Sequence, residues 1–225
     1  MCSEFDAVTD EQRLLAHFGA TYAGEREAKE AGRRHVFPTL LAPFIRLHEE
    51  GSGNRVIEEG AFGLLPAFAK ELAYGRRTYN ARSETVHRLP SFREAWTRGW
   101  RCVVPIEAEY APCYETGRAV RWEIRRADSA PLAVAGIFRK WHSPGGKVLW
   151  SFAMLTVSAE GHPVHQRMHR PGEEKRMLVI LERDEMDDWL TCTVEEARKF
   201  FRQSRVELVA IAAPQLRPRG PQQAF

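Results

Sequence analysis

Hydrophobic residues along most of the chain occur in short runs that are separated by Gly, Pro and other turn residues. The cleanest pattern is residues 119–124, where Val120, Trp122 and Ile124 alternate with polar or small positions, as in a strand with one buried face. Similar runs predict further strands at 36–41, 55–57, 62–65, 101–106, 132–138, 149–157, 177–181 and 206–211. The chain is therefore predicted to consist mainly of strands.

Helical signals are fewer. A Ser or Thr followed three residues later by Glu or Gln is the capping-box pattern that begins a helix, and it occurs at Thr9, Ser91 and Thr193. The helices that follow are expected to reach Phe18, to contain Trp96 and to reach Phe201. One more helix is predicted at 184–190.

The order of these elements predicts the fold class. Strands and helices do not alternate regularly, which argues against a doubly wound parallel sheet. We predict a single α+β domain over residues 1–213, with a mixed or antiparallel, partly closed, barrel-like sheet and a few peripheral helices. The charged segment 24–34 is expected to run over the surface, and the Pro-rich segment 214–225 is expected to be a flexible tail.

The composition argues against a disordered or fibrous protein and against a strongly basic one. The chain has 225 residues, of which 44% are hydrophobic and 28% are charged, as in ordinary globular proteins, and its net charge is only +3. No apolar run has the length of a membrane span, so we expect a cytoplasmic protein without a membrane partner. We also expect the protein to be a monomer. The four cysteines form no Cys-x-x-Cys motif and lack metal-ligand spacing, so we expect no disulfide framework, no metal and no cofactor.

Cys2 has chemistry that no other cysteine of the chain shares. Initiator Met is removed when the next side chain is small, so processing is expected to leave Cys2 with a free α-amine. The amine has a reference pKa of about 7.7 to 8.0 and the thiol of about 8.5, so both nucleophiles are available near neutral pH. Such an aminothiol condenses with an aldehyde: the amine forms an imine, the sulfur adds to the imine carbon, and a five-membered thiazolidine closes.

Two other interpretations of Cys2 stay open at this point. It can act as an amino-terminal nucleophile with its own amine as base, which suits amide hydrolysis. It can also lack any catalytic role, which is the commoner case for a cysteine at position two.

Six short motifs occur in order along the chain. They are Met1-Cys2, Val36-Phe37-Pro38, Phe62-Gly63-Leu64-Leu65-Pro66, Asn80-Ala81-Arg82-Ser83-Glu84-Thr85, Arg101-Cys102-Val103-Val104-Pro105, and a His before Arg176-Met177-Leu178-Val179-Ile180-Leu181. Together they resemble the SOS response-associated peptidase (SRAP) family, from Cys2 to about Trp189. The most specific part is the Asn80 motif in combination with Cys2.

The resemblance implies a function that agrees with the chemistry of Cys2. Members of the family shield abasic sites in single-stranded DNA by covalent linkage through residue two, and a ring-opened abasic sugar is an aldehyde. The implied fold is an α+β domain with a barrel-like core and a basic groove for single-stranded DNA. The expected partner is therefore single-stranded DNA with an abasic site, and the expected activity is DNA cross-linking in DNA repair or the SOS response, with peptidase (hydrolase) or lyase activity as further options.

The resemblance also implies roles for individual residues. Cys2 supplies the amine and the thiol, and Asn80 forms a hydrogen bond at the reacting terminus. Arg82 binds a phosphate or the sugar near the lesion, with a surface ion pair to Glu84 as its alternative. Thr156 lies near the reacting sugar, and a buried strand threonine bonded to backbone is an equally weighted alternative.

Two further residues are expected to line the DNA groove. They are Pro38 and Phe68, of which Phe68 offers its ring for stacking on a base. The alternative for Phe68 is ordinary core packing.

A catalytic histidine must be chosen from several. His169 precedes the Arg176 strand by a long loop, whereas His165 begins a His-Gln-Arg-Met run that imitates the family pattern without leading into a strand. We favour His169 as the residue that transfers protons during imine formation. The remaining candidates are expected to be surface histidines: His87, His142 and His162.

Two positions depart from the family pattern. A Glu that follows an aromatic pair in the family, and acts as general acid and base, is replaced by Ala111. Loss of such a group typically slows a dependent step by about 10²- to 10⁴-fold. Glu109 lies about 6 to 7 Å away along the strand and replaces the missing carboxyl only if the backbone shifts. Glu4 stands where the family commonly has Arg, so a charge that attracts phosphate becomes one that repels it.

These departures leave three hypotheses. The favoured one is a protein that still forms a thiazolidine cross-link through Cys2, more slowly than its relatives. The second is a catalytically impaired, non-covalent or regulatory single-strand binder. The third is a thiol peptidase that removes its own Met1 or acts on other chains.

Overall fold

The computed structural model describes residues 2–22, 35–48 and 53–214. The predictions for Met1, for the segment 24–34 and for the tail after Pro214 fall outside the described residues.

Short strands dominate the described part of the chain, as the sequence predicted. The strands are β1 (Phe5–Ala7), β2 (Ala20–Tyr22), β3 (His35–Val36), β4 (Leu41–Leu47), β5 (Arg55–Phe62), β6 (Asn80–Arg82), β7 (Arg101–Cys113), β8 (Val120–Arg126), β9 (Leu132–His142), β10 (Val148–Ser158), β11 (Arg176–Leu178), β12 (Ile180–Leu181) and β13 (Leu208–Ala212). The α-helices are α1 (Glu11–Phe18), α2 (Pro90–Thr97) and α3 (Met186–Thr191). Within the described ranges, 3₁₀ turns lie at Leu72–Arg77, His165–Arg167, Arg183–Glu185 and Glu196–Phe200.

Five strands close into a barrel. β7 pairs with β9, β9 with β10, β10 with β5, β5 with β4, and β4 returns to β7. The β5–β10 pairing is parallel and the others are antiparallel. The remaining strands extend the sheet around this barrel, so the predicted α+β domain with a mixed, closed sheet is confirmed.

Phenylalanine rings fill the barrel. The rings of Phe44 and Phe62 lie 5.6 and 5.7 Å from that of Phe152, and all three side chains are fully buried. Phe5 packs edge-on against Phe62 at 5.0 Å. Full burial of such a side chain contributes roughly 1.5 to 3 kcal/mol to stability. Because Phe5 is three residues from Cys2, its packing holds the start of the chain against the barrel.

Two of the predicted capping boxes are wrong. α1 is capped by Asp10 rather than Thr9, since the Asp10 carboxylate accepts the N–H of Arg13 at 2.7 Å. Asp is as good a cap as Thr and stands one residue later. α2 begins at Pro90, before Ser91, and has no side-chain cap. Proline suits the first helical position because its fixed φ is helical and no N–H is left unpaired.

The third capping box is confirmed. The N–H of Thr193 donates to Glu196 at 2.9 Å, and the N–H of Glu196 donates back to the Thr193 hydroxyl at 3.3 Å. The helix it opens is a 3₁₀ turn that ends at Phe200, one residue earlier than predicted. The strand predicted at 36–41 is wrong, because Thr39 adopts φ 79° in a turn and β4 begins only at Leu41.

No helix in the part of the chain that the structure describes is long and apolar enough to cross a membrane.

Candidate active site

Cys2 lies directly before β1, where the chain is held against β7. The N–H of Tyr110 donates to the carbonyl of Glu4 at 2.9 Å, and Phe5 pairs with Glu109 in the antiparallel register. The Cys2 side chain is buried, and its thiol donates to the Glu4 carbonyl at 3.4 Å. The sheet therefore fixes Cys2 in a defined position.

Asn80 also holds Cys2, through the Cys2 carbonyl. It begins β6, which pairs in parallel with β10 so that Asn80 lies opposite Met154. The Asn80 Nδ2 donates to the carbonyl of Cys2 at 2.6 Å. Its Oδ1 is buried and has no hydrogen-bond partner among the described residues. The amide therefore fixes the backbone of Cys2 and keeps one acceptor available beside it.

A glycine contact supports the segment that leads to Asn80. Gly63 has φ 126°, and a Cβ on it would come within 2.3 Å of the Gly75 carbonyl oxygen. The Phe62-Gly63-Leu64 motif thus packs directly on the 3₁₀ turn Leu72–Arg77, which precedes β6. Only glycine permits this approach.

Glu109 and His165 form a buried pair next to Cys2. The Nε2 of His165 lies 2.5 Å from the Oε1 of Glu109, and their side chains are 2% and 4% exposed. His165 belongs to the 3₁₀ turn His165–Arg167, far from β7 in sequence. The fold therefore brings an imidazole and a carboxylate together beside the thiol.

A bulge in β7 lies close to Glu109. Asp6 pairs with Ala108 but Ala7 pairs with Ile106, so Glu107 has no partner and forms a bulge. A bulge inserts one residue and changes the side of the sheet that the following residues face. Glu109 and Ala111 both follow the bulge and face the same side of β7, where Ala111 is buried in the apolar core and pairs with Trp122.

The environment sets the protonation of these groups. Burial raises the pKa of the Cys2 thiol well above its usual range, and the nearby negative charge of Glu109 raises it further. Burial would also raise the pKa of Glu109, but the charge of His165 and its hydrogen bond outweigh this and leave the pKa lowered. At neutral pH a protonated thiol therefore lies near an ionised carboxylate.

His162 is buried behind His165, so its predicted surface position is wrong. Its Nδ1 accepts the N–H groups of Val164 and His165, each at 3.2 Å. Burial, together with the charge of His165, lowers its pKa to about 4. His162 is therefore neutral and fixes the turn that carries His165.

His169 lies four residues beyond His165 and is half-buried. Its φ of 63° turns the chain sharply, its N–H donates to the Pro112 carbonyl at 2.7 Å, and its own carbonyl accepts Lys175 Nζ at 2.9 Å. Burial lowers the pKa of His169 to about 4, while the charge of Glu109 acts in the opposite direction. The structure thus brings both candidate histidines near Glu109.

Arg82 is exposed at the end of β6. Its Nη1 forms an ion pair with Glu174 at 2.9 Å, so its partner is not Glu84. Glu84 is instead bound by both terminal nitrogens of Arg176, at 2.9 and 3.0 Å. Thr156 is fully buried, and its hydroxyl and carbonyl accept hydrogen bonds from the same arginine. Thr156 therefore lies inside the sheet rather than on a surface.

The two predicted groove residues are accessible. Pro38 is partly buried beside the exposed Phe37. Phe68 is 54% exposed and packs edge-on against Tyr74, over whose ring lies the guanidinium of Arg77. Aromatic surface and positive charge therefore occur together near Phe68.

Glu4 does not present a free negative charge. Its carboxylate binds Arg121 at 2.7 Å and His35 Nε2 at 2.7 Å. Repulsion of phosphate by Glu4 is therefore reduced by its cationic neighbour.

The Glu109–His165 pair is the part of the site that sequence reasoning missed. The His162-x-x-His165 spacing was a signal, since it places two imidazoles on one turn. The bulge at Glu107 left no mark in the sequence pattern. All four cysteines are free, and no group of three or more His, Cys, Asp or Glu residues within the described ranges forms a metal site.

Residues 1–213 match the family model described as SOS response associated peptidase (SRAP). The chain belongs to this family. It is 30% identical over 147 residues to the abasic site processing protein YoqW of Bacillus subtilis (strain 168), covering 65% of this chain and 62% of that one. It is 31% identical over 165 residues to the abasic site processing protein HMCES of Mus musculus, covering 58% and 46%. This SRAP chain thus matches less than two thirds of the length of either relative.

Solved structures support the same relationship. A crystal structure of a Bordetella bronchiseptica protein has a TM-score of 0.84 and 33% identity, and covers 95% of this chain and 100% of its own. A Bacteroides thetaiotaomicron protein, 20% identical with a TM-score of 0.78 and full coverage of both chains, shares the fold. The closed barrel with outer strands of the present chain is therefore an SRAP fold.

Proposed function

We propose that this SRAP protein processes abasic sites in single-stranded DNA by forming a thiazolidine through Cys2 after Met1 has been removed. The observation that supports this most directly is the arrangement around Cys2. Asn80 holds its backbone at 2.6 Å, and the Glu109–His165 pair lies beside its thiol. Relatives named abasic site processing proteins add support.

The reaction needs only proton transfers and the loss of one water. The α-amine of Cys2 attacks C1′ of the ring-opened sugar, and the aldehyde oxygen leaves as water to give an imine. The sulfur then adds to the imine carbon, its proton passes to Glu109, and the ring nitrogen takes up a proton. Because the thiol is protonated at neutral pH, a nearby ionised carboxylate is the base that this addition requires.

Asn80 and His169 assist the same steps. The buried Oδ1 of Asn80 lacks a partner among the described residues and is suited to accept an N–H of the reacting amine. His169 is neutral near pH 7 and exchanges protons with the imine nitrogen or the departing water.

Three exposed or partly exposed residues contact the DNA strand next to the Cys2 site. Arg82 binds a phosphate next to the lesion, Phe68 stacks on a base, and Pro38 forms part of the wall. Thr156 acts indirectly, since it orients Arg176, which in turn holds Glu84 at the end of the Asn80 motif.

We favour cross-linking over peptide hydrolysis. A thiol peptidase needs a thiolate, and burial together with Glu109 raises the pKa of Cys2 instead. We also favour it over non-covalent binding alone, because Glu109 supplies a carboxylate that Ala111 lacks.

The test uses Met1-processed protein and two single-stranded oligonucleotides, one with an abasic site and one with a tetrahydrofuran analogue that has no aldehyde. We expect a heat-stable adduct on a denaturing gel with the first oligonucleotide only. Cys2→Ala and Cys2→Ser are expected to abolish it, whereas Cys192→Ser, which removes a thiol that is not at the terminus, keeps it. Salt-sensitive binding without an adduct would instead select the non-covalent binder, and cleavage of peptides without DNA would select the peptidase.

A further inference from the structure

A cavity separate from the Cys2 site lies at one end of the barrel. Its volume is about 540 Å³, within the range of small-ligand sites. It is lined by Arg46, Leu47, Gly99, Trp100, Arg101, Phe138, Arg139, Lys140, His142, Trp150 and Leu190. None of these residues belongs to the Cys2 site.

The cavity and the Cys2 site contact different parts of β7. Arg101 is the first residue of this strand, and Glu109 is eight residues further along it. At about 3.3 Å per residue the two positions are about 26 Å apart along the strand. The rings of Phe44, Phe62 and Phe152 fill the barrel between its ends. A ligand in the cavity therefore does not contact Cys2.

The lining is cationic and contains no carboxylate among its described residues. Glu58 binds Arg46 at 2.5 Å, and Glu94 binds Arg139 at 2.6 Å. No described carboxylate forms an ion pair with Arg101 or Lys140. The cavity thus keeps two positive charges that an anion can neutralise.

Arg101 is the decisive residue. It is 97% buried, between the rings of Trp96 and Trp189, and its Nη2 donates to the Thr193 carbonyl at 3.1 Å. Its Nε and Nη1 have no nitrogen or oxygen hydrogen-bond partner among the described residues, and the thiol of Cys192, a weak acceptor, lies close to the guanidinium. Nη1 lies 3.4 Å from the position of a Cβ on Gly99, which also lines the cavity. Buried guanidinium N–H groups rarely lack a hydrogen-bond acceptor. An anion in the cavity would accept hydrogen bonds from these groups.

Aromatic rings line the rest of the cavity. Lys140 Nζ lies 5.2 Å from the centre of the Trp150 ring, and the Arg139 guanidinium lies 5.7 Å from that of Trp100. Phe138 packs against Trp150 at 5.6 Å. Rings with neighbouring cations are the combination that binds a nucleobase together with its phosphate.

We propose that this cavity binds a phosphorylated nucleoside, with the base against Trp150 or Trp100 and the phosphate at Arg101 and Lys140. The ligand is either a free mononucleotide or a nucleotide of a DNA strand, since both present the same chemistry. This proposal stands on the cavity alone and does not depend on cross-linking by Cys2.

The test is a titration of the full chain with deoxyadenosine 5′-monophosphate, followed by tryptophan fluorescence and calorimetry. Deoxyadenosine, inorganic phosphate and an undamaged oligothymidylate are the comparison ligands. Lys140→Glu changes an exposed cation of the cavity, and Trp150→Leu removes a ring. Arg205→Glu reverses an exposed charge outside the cavity and serves as the matched control, and Cys2→Ala reports on the other site.

We expect saturable quenching by the mononucleotide and at least about tenfold weaker binding of deoxyadenosine and of phosphate. Lys140→Glu and Trp150→Leu should each weaken binding by about tenfold or more, while Arg205→Glu and Cys2→Ala bind as the wild type. Binding of the oligonucleotide alone, with the same dependence on Lys140, identifies a strand as the source. Absence of saturable binding by either ligand, or binding that is lost in Cys2→Ala but kept in Lys140→Glu, overturns the proposal.

Discussion

The Nε2 of His165 lies 2.5 Å from the Oε1 of Glu109, and both side chains are almost completely buried beside Cys2. The contact joins the bulged strand β7 to the turn that His162 fixes from behind. A carboxylate paired with an imidazole can take up and return a proton without bulk water. In this SRAP chain the pair is placed to act as the general acid and base of the proposed reaction.

Replacement of Glu109 tests this role. Glu109→Gln keeps the size of the side chain and removes the charge, so the Cys2 thiol loses its proton acceptor. We expect adduct formation with an abasic oligonucleotide to slow by about 10²- to 10⁴-fold, measured as a single-turnover rate on denaturing gels. Binding of undamaged single-stranded DNA should change little, because Glu109 is buried.

The matched control is Glu107→Gln. Glu107 is on the same strand, but its carboxylate binds Arg13 at 2.8 Å near the surface. We expect this variant to form the adduct at the wild-type rate. Equal slowing of both variants would mean that β7 tolerates no change here and that Glu109 has no specific role.

Transfer of the carboxyl group from position 109 to position 111 provides a gain-of-function test. Ala111→Glu in the Glu109→Gln background restores a carboxyl at the position where the family resemblance places it. We expect this double variant to recover at least about tenfold of the rate lost in Glu109→Gln, by the same single-turnover assay. A rate no faster than that of Glu109→Gln would show that a carboxyl at position 111 does not reach the Cys2 thiol.

Three barrel strands, β7, β9 and β10, were predictable because they are long and apolar, whereas β4 was missed and β5 was predicted only in part. The runs near Leu132 and Leu149 correspond to β9 and β10, and alternation at Val120 corresponds to β8. Helix starts were less predictable, since Asp10 and Pro90 cap or begin helices as well as the Thr and Ser beside them. Such one-residue choices depend on local geometry that a sequence pattern does not contain.

The site was only partly predictable for a related reason. Cys2 and Asn80 could be singled out from chemistry and from the family motif, and the structure brings them into contact. The sequence singled out Glu109 and His165 separately, but their contact joins β7 to a turn far along the chain and could not be read from a local pattern. The partner of Arg82 could not be predicted either, because Glu174 is a neighbour only in space.

The buried histidines predict how stability depends on pH. The folded-state pKa of His162 and of His169 is about 4, below the value of 6.5 for a free histidine. Above pH 6.5 both states are neutral and nothing changes. As the pH falls from about 6.5 towards 4, the unfolded chain takes up protons that the folded chain does not, so stability falls. We expect His162, which is 5% exposed, to cost up to about 2 kcal/mol between pH 7 and pH 5, and the half-buried His169 to cost less because solvent screens its charge, measured by urea unfolding.

His162→Asn isolates one of these contributions. Its side-chain oxygen can replace Nδ1 as the acceptor for the N–H groups of Val164 and His165, but it does not titrate. We expect a smaller loss of stability between pH 7 and pH 5 than in the wild type. His87→Asn, at an exposed position, should leave the pH dependence unchanged, and identical pH profiles for all three proteins would contradict the burial of His162.

The ion pair between Arg82 and Glu174 predicts opposite effects of two substitutions on DNA binding. Arg82→Ala removes the proposed phosphate contact, so undamaged single-stranded DNA should bind more weakly and the slope of its affinity against salt should fall by about 0.7 to 1. Glu174→Gln releases Arg82, while Arg176 keeps both hydrogen bonds to Glu84, so binding should strengthen. Fluorescence anisotropy of a labelled oligonucleotide at several salt concentrations measures both.

Glu173→Gln makes the same change of net charge at the neighbouring exposed residue and should have a smaller effect. If Glu173→Gln strengthens binding as much as Glu174→Gln does, the gain comes from overall charge, and Arg82 is not the residue that Glu174 restrains.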